Sequence, residues 1–310
     1  VLVMKAILAR TYGGPDVLEL TETDTPEVGA GSVLVRVKAT AVNPVDWHIV
    51  AGHMDGLLKV ALPVVPGFDV AGVVEAVAPD VTEFAVGDEV IGYVRTEQVQ
   101  HGTYAEFVAA PVHTLGRKPA SLDWEQSAGL PLVGLTALQA LVAVGAGAGE
   151  TVLVHAAAGG VGSLAVQIAV ARGARVIGTA SERNHDFLRS LGAEPVTYGE
   201  GLAERVRQLA PEGIDAAVDC VGGDAVAVSQ ELLKDSSRVA SIVDQQVSAK
   251  GGHHVFTQPV SADLEELATL ADAGKLTVHV DRVLPLAAAA EAFRLSQTKR
   301  VRGKIVLDVG

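Results

Sequence analysis

The chain has 310 residues, 49% of them hydrophobic, a formal net charge of −13 and one cysteine. That length suggests two domains and supports a large core. The acidic balance argues against nucleic acid and anionic membrane surfaces as partners, and a lone thiol rules out an intrachain disulfide or a cysteine-rich metal site.

One thiol suits a reducing compartment, so a cytoplasmic protein with a small-molecule ligand is expected. The start, VLVMKAIL, is apolar for only a few residues, and no secretory signal is expected. Met4 reads as the natural first residue. The first hundred residues have β texture. Residues 33–43 (VLVRVKATAVN) alternate apolar with polar or basic side chains, while 70–81 and 88–94 are valine-rich and broken by Gly, Pro and Asp. Short strands between turn signals predict a small barrel.

The character changes near Leu122. Residues 126–149 and 151–171 carry no Asp, Glu, Lys or Arg. Each is interrupted by glycine, so both read as buried α/β core rather than membrane spans. Strands are predicted at 152–155, 175–179, around 195–198, 216–220 and 238–243. Helices are predicted at 161–172, 183–191, 202–209, 225–233 and 262–273. Such alternation predicts a parallel sheet with right-handed crossovers. The tail, KLTVHVDRVLPL and then GKIVLDV, returns to β texture and is expected to rejoin the N-terminal barrel.

The segment HAAAGGVG (155–162) follows the first strand of this alternating half and opens a helix. Set against G-x-G-x-x-G, its glycine positions fall on Ala157, Gly159 and Gly162. The second glycine lets a pyrophosphate approach the backbone, and the third packs the helix tightly on its strand. The helix start then aims free amides and a positive dipole end at the phosphates. No lysine follows, which disfavours a nucleoside triphosphate. An NAD site carries an acid near the end of the next strand, about 20 residues on, for the ribose diol. Here that strand ends in Ala180 and Ser181, with Arg183 two residues later. A hydroxyl and a guanidinium suit a 2′-phosphate, so NADPH is favoured. Glu182 leaves the diol open or simply faces water.

In order and spacing, the sequence resembles the zinc-free medium-chain dehydrogenases/reductases of the quinone oxidoreductase (zeta-crystallin-like) type. The resemblance runs through MKAILARTYGGPDVLEL, NPVDW at 43–47, VPGFDVAGVV at 65–74, VGDEVIG at 86–92 and GTYAEF at 102–107. It continues in PLVGLTALQAL at 131–141, HAAAGGVG, LGAEPVTY at 191–198, DCVGG at 219–223 and GKIVL at 303–307. It implies an α/β protein with a GroES-like β-barrel catalytic domain (1–121 and 277–310), a Rossmann doubly wound domain (122–276), an active site in the cleft, and a homodimer. By position, Gly159, Gly160 and Val161 would meet the pyrophosphate. Ser181, Arg183 and Tyr198 would hold the 2′-phosphate and adenosine end, and Asn43 and Thr136 would lie near the nicotinamide. Lys304 would be a further phosphate contact.

Zinc-dependent relatives in that wider group use cysteine, histidine and an acid. This chain's only cysteine is Cys220, and it reads Gly67-Phe68-Asp69 where those read Gly-His-Glu. Without a Lewis acid, simple alcohol oxidation is disfavoured. A quinone or an α,β-unsaturated carbonyl accepts hydride through its own conjugation, with the proton coming from water or a nearby acid, and the protein mainly positions the partners. An enoyl-thioester reductase, or an NADPH-holding sensor with little turnover, fits the same loop.

Other residues carry two readings each. His48 is the leading proton-donor candidate, or a surface histidine. Asp46 is an acid or a helix cap. Trp47 is a pocket wall or barrel packing, and Tyr93 and Tyr104 are placed at the cleft edge. Phe256 is placed near the dimer or the cleft mouth. His155 reads as structural and Cys220 as a small buried hydrophobe. Nine histidines without helical H-x-x-x-H spacing give no metal site.

Overall fold

A computed structural model describes residues 2–310. The N-terminal stretch forms β1 (Val3–Ala9), β2 (Leu18–Asp24), β3 (Ser32–Val42), α1 (Pro44–Val50), β4 (Lys59–Val65), β5 (Asp69–Val77), β6 (Glu89–Tyr93), β7 (Gln98–His101), β8 (Phe107–Pro111), β9 (Leu115–Arg117) and α2 (Trp124–Ala128). The middle forms α3 (Pro131–Ala143), β10 (Thr151–Val154), α4 (Gly160–Ala171), β11 (Arg175–Thr179), α5 (His185–Ser190), β12 (Ala193–Val196), α6 (Leu202–Leu209), β13 (Ala216–Asp219), α7 (Ala225–Leu232), β14 (Val239–Ser241) and β15 (His253–His254). The chain ends with α8 (Ser261–Asp272), β16 (Val280–Pro285), α9 (Ala289–Gln297) and β17 (Lys304–Asp308).

Two compact units result. The first runs to Leu132 and takes in Pro259–Gly274 and Val278–Gly310; the second is Val133–Gln258 with Lys275–Thr277. Helices α2 and α8 therefore lie in the first unit, whereas the sequence boundaries put both with the dinucleotide fold. The reason is packing: α2 lies against β3, β5 and β17, and α8 against β9.

Alternation builds the first unit. Along β3, Val33, Val35 and Val37 are buried while the intervening Leu34, Arg36 and Lys38 are only partly covered, as a period of two requires. Strand β3 pairs with β5 on one edge, and on the other with β8 and, further along, with β17, which returns antiparallel with Ile305 opposite Val42. Its sheet runs β16-β17-β3-β5-β6-β9, and a second sheet runs β2-β1-β4-β7. The C-terminal tail thus joins the N-terminal strands, as its texture predicts.

In the second unit all strands are parallel, in the order β12-β11-β10-β13-β14-β15. Leu153, Ile177, Ala217 and Val239 from four adjacent strands pack with Val206 and Val226 of the helices. From β10 the chain first builds outward on one side, then crosses to build on the other. The switch point falls between β10 and β13, where open α/β sheets bind ligands beyond the strand C-termini. No helix among the described residues is long and apolar enough to cross a membrane.

Candidate functional site

In the second unit, α4 starts at Gly160 with Gly159 as its N-cap, no side-chain cap and no acid in its first turn. Its first amides have no intrahelical acceptor and form the positive end of the helix dipole. A Cβ on Gly162 would lie 2.1 Å from the Ala156 carbonyl oxygen and 2.8 Å from Ala157 Cα, so this position demands glycine for internal packing. Gly159 is different. Its φ of −78° suits any residue, and a Cβ would stand 3.4 Å from the nearest protein atom, an ordinary contact. The fold does not require glycine there; a group approaching from outside would. The first motif position, Ala157, is fully buried, and its methyl occupies the space that a Cβ on Gly178 of β11 would need, 2.8 Å away.

Ser181 and Arg183 follow β11, and Tyr198 follows the adjacent β12, so all three leave the C-terminal edge of neighbouring strands. Arg183 is exposed and Tyr198 is 60% exposed. The Arg205 guanidinium donates to the Thr197 and Glu200 carbonyls and so fixes the turn that carries Tyr198. Thr136 is buried on α3, its hydroxyl sharing a 2.7 Å hydrogen bond with that of Thr257. At the end of β13, Asp219 Oδ1 accepts the Val221 and Gly222 amides at 2.9 Å while Oδ2 accepts the Ser241 hydroxyl at 2.7 Å. This carboxylate ties two loops beside the switch point, a role sequence reasoning missed. His155 is buried with Nε2 2.7 Å from Ser229 Oγ, and burial lowers its pKa, in keeping with a structural role. Burial pushes the Cys220 thiol up, far from reactive.

The first unit contains a buried polar network. Lys304 is a correction to the expected phosphate set. Only 4% exposed, its ammonium donates to Val42 O at 2.9 Å and Asn43 Oδ1 at 2.6 Å, and lies 4.0 Å from Asp69. These partners hold it inside the fold. Asn43 Nδ2 donates to Asp69 Oδ2 at 2.8 Å, and Asp69 Oδ1 accepts the Leu132 amide at 2.8 Å. Asn43 is thus engaged at both ends of its amide. Burial drives Asp69 up and Lys304 down toward their neutral forms, and their mutual attraction opposes both shifts.

Asp46 adjoins this group. Its Oδ2 accepts the Asn43 amide at 2.9 Å, capping α1, and the Tyr104 hydroxyl at 2.8 Å. Its Oδ1 has no hydrogen-bond partner. Burial first, then the neighbouring Asp69, push its pKa up to about 7 against the bonds from Asn43 and Tyr104. The cap reading fits this geometry. Asp46 and Tyr104 are both fully buried, so neither edges an open cleft, and Tyr93, 5% exposed, packs edge-on against Phe68. His48 is partly exposed, its ring 3.9 Å from that of Trp47 and its Nδ1 3.2 Å from His53 Nδ1. Burial, His53 and Lys299 lower its pKa. The Trp47 indole donates to Ser296 Oγ at 3.1 Å.

Residues 29–120 match the alcohol dehydrogenase GroES-like domain, and residues 191–307 match a domain described as zinc-binding dehydrogenase. An NADPH-dependent alkenal/one oxidoreductase of Arabidopsis thaliana is 36% identical over 98% of this chain and 79% of its own length. The chain belongs to the medium-chain dehydrogenase/reductase family. The quinone oxidoreductase of Coxiella burnetii superposes with a TM-score of 0.89 at 34% identity over the whole of both chains. A mycobacterial member solved in complex with NADPH gives a TM-score of 0.84 at 31% identity, covering 99% of this chain and 100% of that one.

The zinc in one domain description has no matching donor set here. At Gly67-Phe68-Asp69 both carboxylate oxygens of Asp69 already accept hydrogen bonds, and the Lys304 cation stands beside them. Among the described residues no three His, Cys, Asp or Glu side chains are gathered for a metal. The α4 amides, by contrast, fit the pyrophosphate of a dinucleotide.

Proposed function

We propose that this member of the family is an NADPH-dependent reductase of quinones or α,β-unsaturated carbonyls. The observation that carries the reading is Gly159: a glycine that the fold leaves open, at the amide-lined start of α4, beside the switch point of a doubly wound sheet. The names of the relatives give the direction of the chemistry. When bound, NADPH supplies the hydride. The amides of Gly160, Val161 and Gly162 hold the pyrophosphate, Ser181 and Arg183 the 2′-phosphate, and Tyr198 the adenosine face. Thr136 is assigned to the nicotinamide side. Asn43, held at both ends of its amide by Asp69 and Lys304, acts by position. His48, partly exposed, is the candidate donor of the proton that completes the reduction, acting in its imidazolium form, which burial, His53 and Lys299 make the stronger acid by lowering its pKa. A conjugated acceptor delocalises the incoming charge onto its own oxygen, so its reduction needs no Lewis acid.

Loss of NADPH absorbance against a naphthoquinone, an enone and a simple aldehyde, with chelator present and repeated with NADH, tests the reading. Turnover of quinone or enone with NADPH supports it. Saturable NADPH binding without turnover turns it into a binding role, and activity lost to chelator removes the metal-free chemistry. The sequence's single cysteine suits the cytoplasm, and the family resemblance carries a homodimer, which light scattering measures.

A further inference from the structure

We infer that Thr179 positions the cofactor loop, suspending it from the neighbouring strand without touching the cofactor itself. The inference rests on the NADPH reading of the α4 loop. Thr179 is the last residue of β11 and is 2% exposed. Its hydroxyl accepts the Ala156 amide at 2.9 Å, and its carbonyl accepts the Ala157 amide, also at 2.9 Å. The first two residues of the loop proper thus hang from one residue of the next strand. The side-chain bond falls where it is most needed, because Ala156 has a φ of +55°. That left-handed conformation costs an L residue roughly 1–2 kcal/mol, and surrounding structure must hold it.

The Ala156 peptide in turn sets where α4 begins. Its carbonyl accepts the Gly159 amide at 3.1 Å and lies at the spot that makes a side chain impossible at Gly162. If Ala156 relaxed to negative φ, this carbonyl would rotate, and the amides at 160–162 would lose their common aim. Thr179 also stands two residues before Ser181. One strand end therefore governs the pyrophosphate loop and leads directly into the 2′-phosphate segment.

The test compares Thr179→Val, which replaces the hydroxyl with a methyl, with Thr179→Ser, which keeps it. Circular dichroism checks folding, and fluorescence titration gives Kd for NADPH and NADH. The expected result for Thr179→Val is a tenfold weakening of both cofactors by the same factor, about 1.4 kcal/mol. Quinone-dependent kcat at saturating NADPH should stay within twofold of wild type, and Thr179→Ser should restore both Kd values. If Thr179→Val does not fold, Ala156→Gly in that background removes the left-handed penalty, and Thr179→Ser alone must still bind as wild type. Unchanged Kd in a folded Thr179→Val protein overturns the inference, as does weakening confined to NADPH, which points to the 2′-phosphate end. A wild-type protein that binds neither cofactor overturns the NADPH reading first, and the inference with it.

Discussion

Replacing Asp46 with Asn should flatten the pH dependence of stability between pH 5 and 8. In the folded protein burial raises this carboxyl from 3.8 to about 7. The folded state therefore binds a proton that the unfolded chain has released, throughout the interval between those values. A raised pKa stabilises fully below the unfolded value, and that stability is lost as pH rises through the folded one. At about 1.4 kcal/mol per pH unit, the displacement is worth about 4 kcal/mol, most of it lost between pH 5 and 8. At about 2.1 cal/mol/K per residue over the chain, this is roughly 6 °C in Tm. Asparagine keeps one oxygen for the Asn43 amide and the Tyr104 hydroxyl and places its NH2 where Oδ1 has no partner. The unpaired donor costs about 1–3 kcal/mol, but equally at every pH. Urea unfolding of both proteins at pH 5, 6, 7 and 8 gives the comparison. Wild type should lose stability across that range relative to the variant, so that the two curves converge or cross. Parallel curves within about 0.5 kcal/mol would show that Asp46 does not titrate in this interval, and the burial argument would fail.

Lys304→Met should cost about 3–5 kcal/mol in urea unfolding, because it leaves the buried Asp69 carboxylate without its cation and Asn43 Oδ1 without its donor; a loss below 1 kcal/mol would mean the pair is neutral or dispensable. Ala156→Gly should raise stability by about 1 kcal/mol, since glycine adopts φ of +55° without strain. Thermal unfolding checks it, and a loss of stability would contradict the left-handed assignment. Arg183→Ala should raise the NADPH KM at least tenfold, a loss of about 1.4 kcal/mol or more, while leaving the NADH KM nearly unchanged. Equal effects on both would remove Arg183 from the 2′-phosphate.

The fold was legible wherever a local period decided it. Alternation across 33–43 gave β3, and the apolar spacing of LAERVRQL gave α6 with the bounds observed, 202–209. Local period says nothing about which sheet a helix covers, which is why α2 and α8 read as parts of the dinucleotide fold. The surface that α2 covers is made by strands distant in sequence, β3, β5, β16 and β17. Lys304 shows the same limit. The family resemblance offers it by position as a phosphate contact. Its partner Asn43 lies far away in sequence, and only the β17–β3 register, Ile305 opposite Val42, brings the two together.

The strand-to-helix turn at 155–162 was legible by residue type, but its apparent defect was not. Alanine at the first glycine position looks like a weakened motif when the loop is scored alone. In the structure the adjustment lies one strand away. Gly178 leaves room for the Ala157 methyl, and Thr179 holds both Ala156, in its left-handed conformation, and the Ala157 amide. The turn that a glycine would make freely is made here by an alanine under restraint, with the restraint supplied by β11. A loop built this way is less free to rearrange than one that relies on glycine. On the proposed reading, its affinity for a pyrophosphate depends on residues 178 and 179 as well as on 157–162.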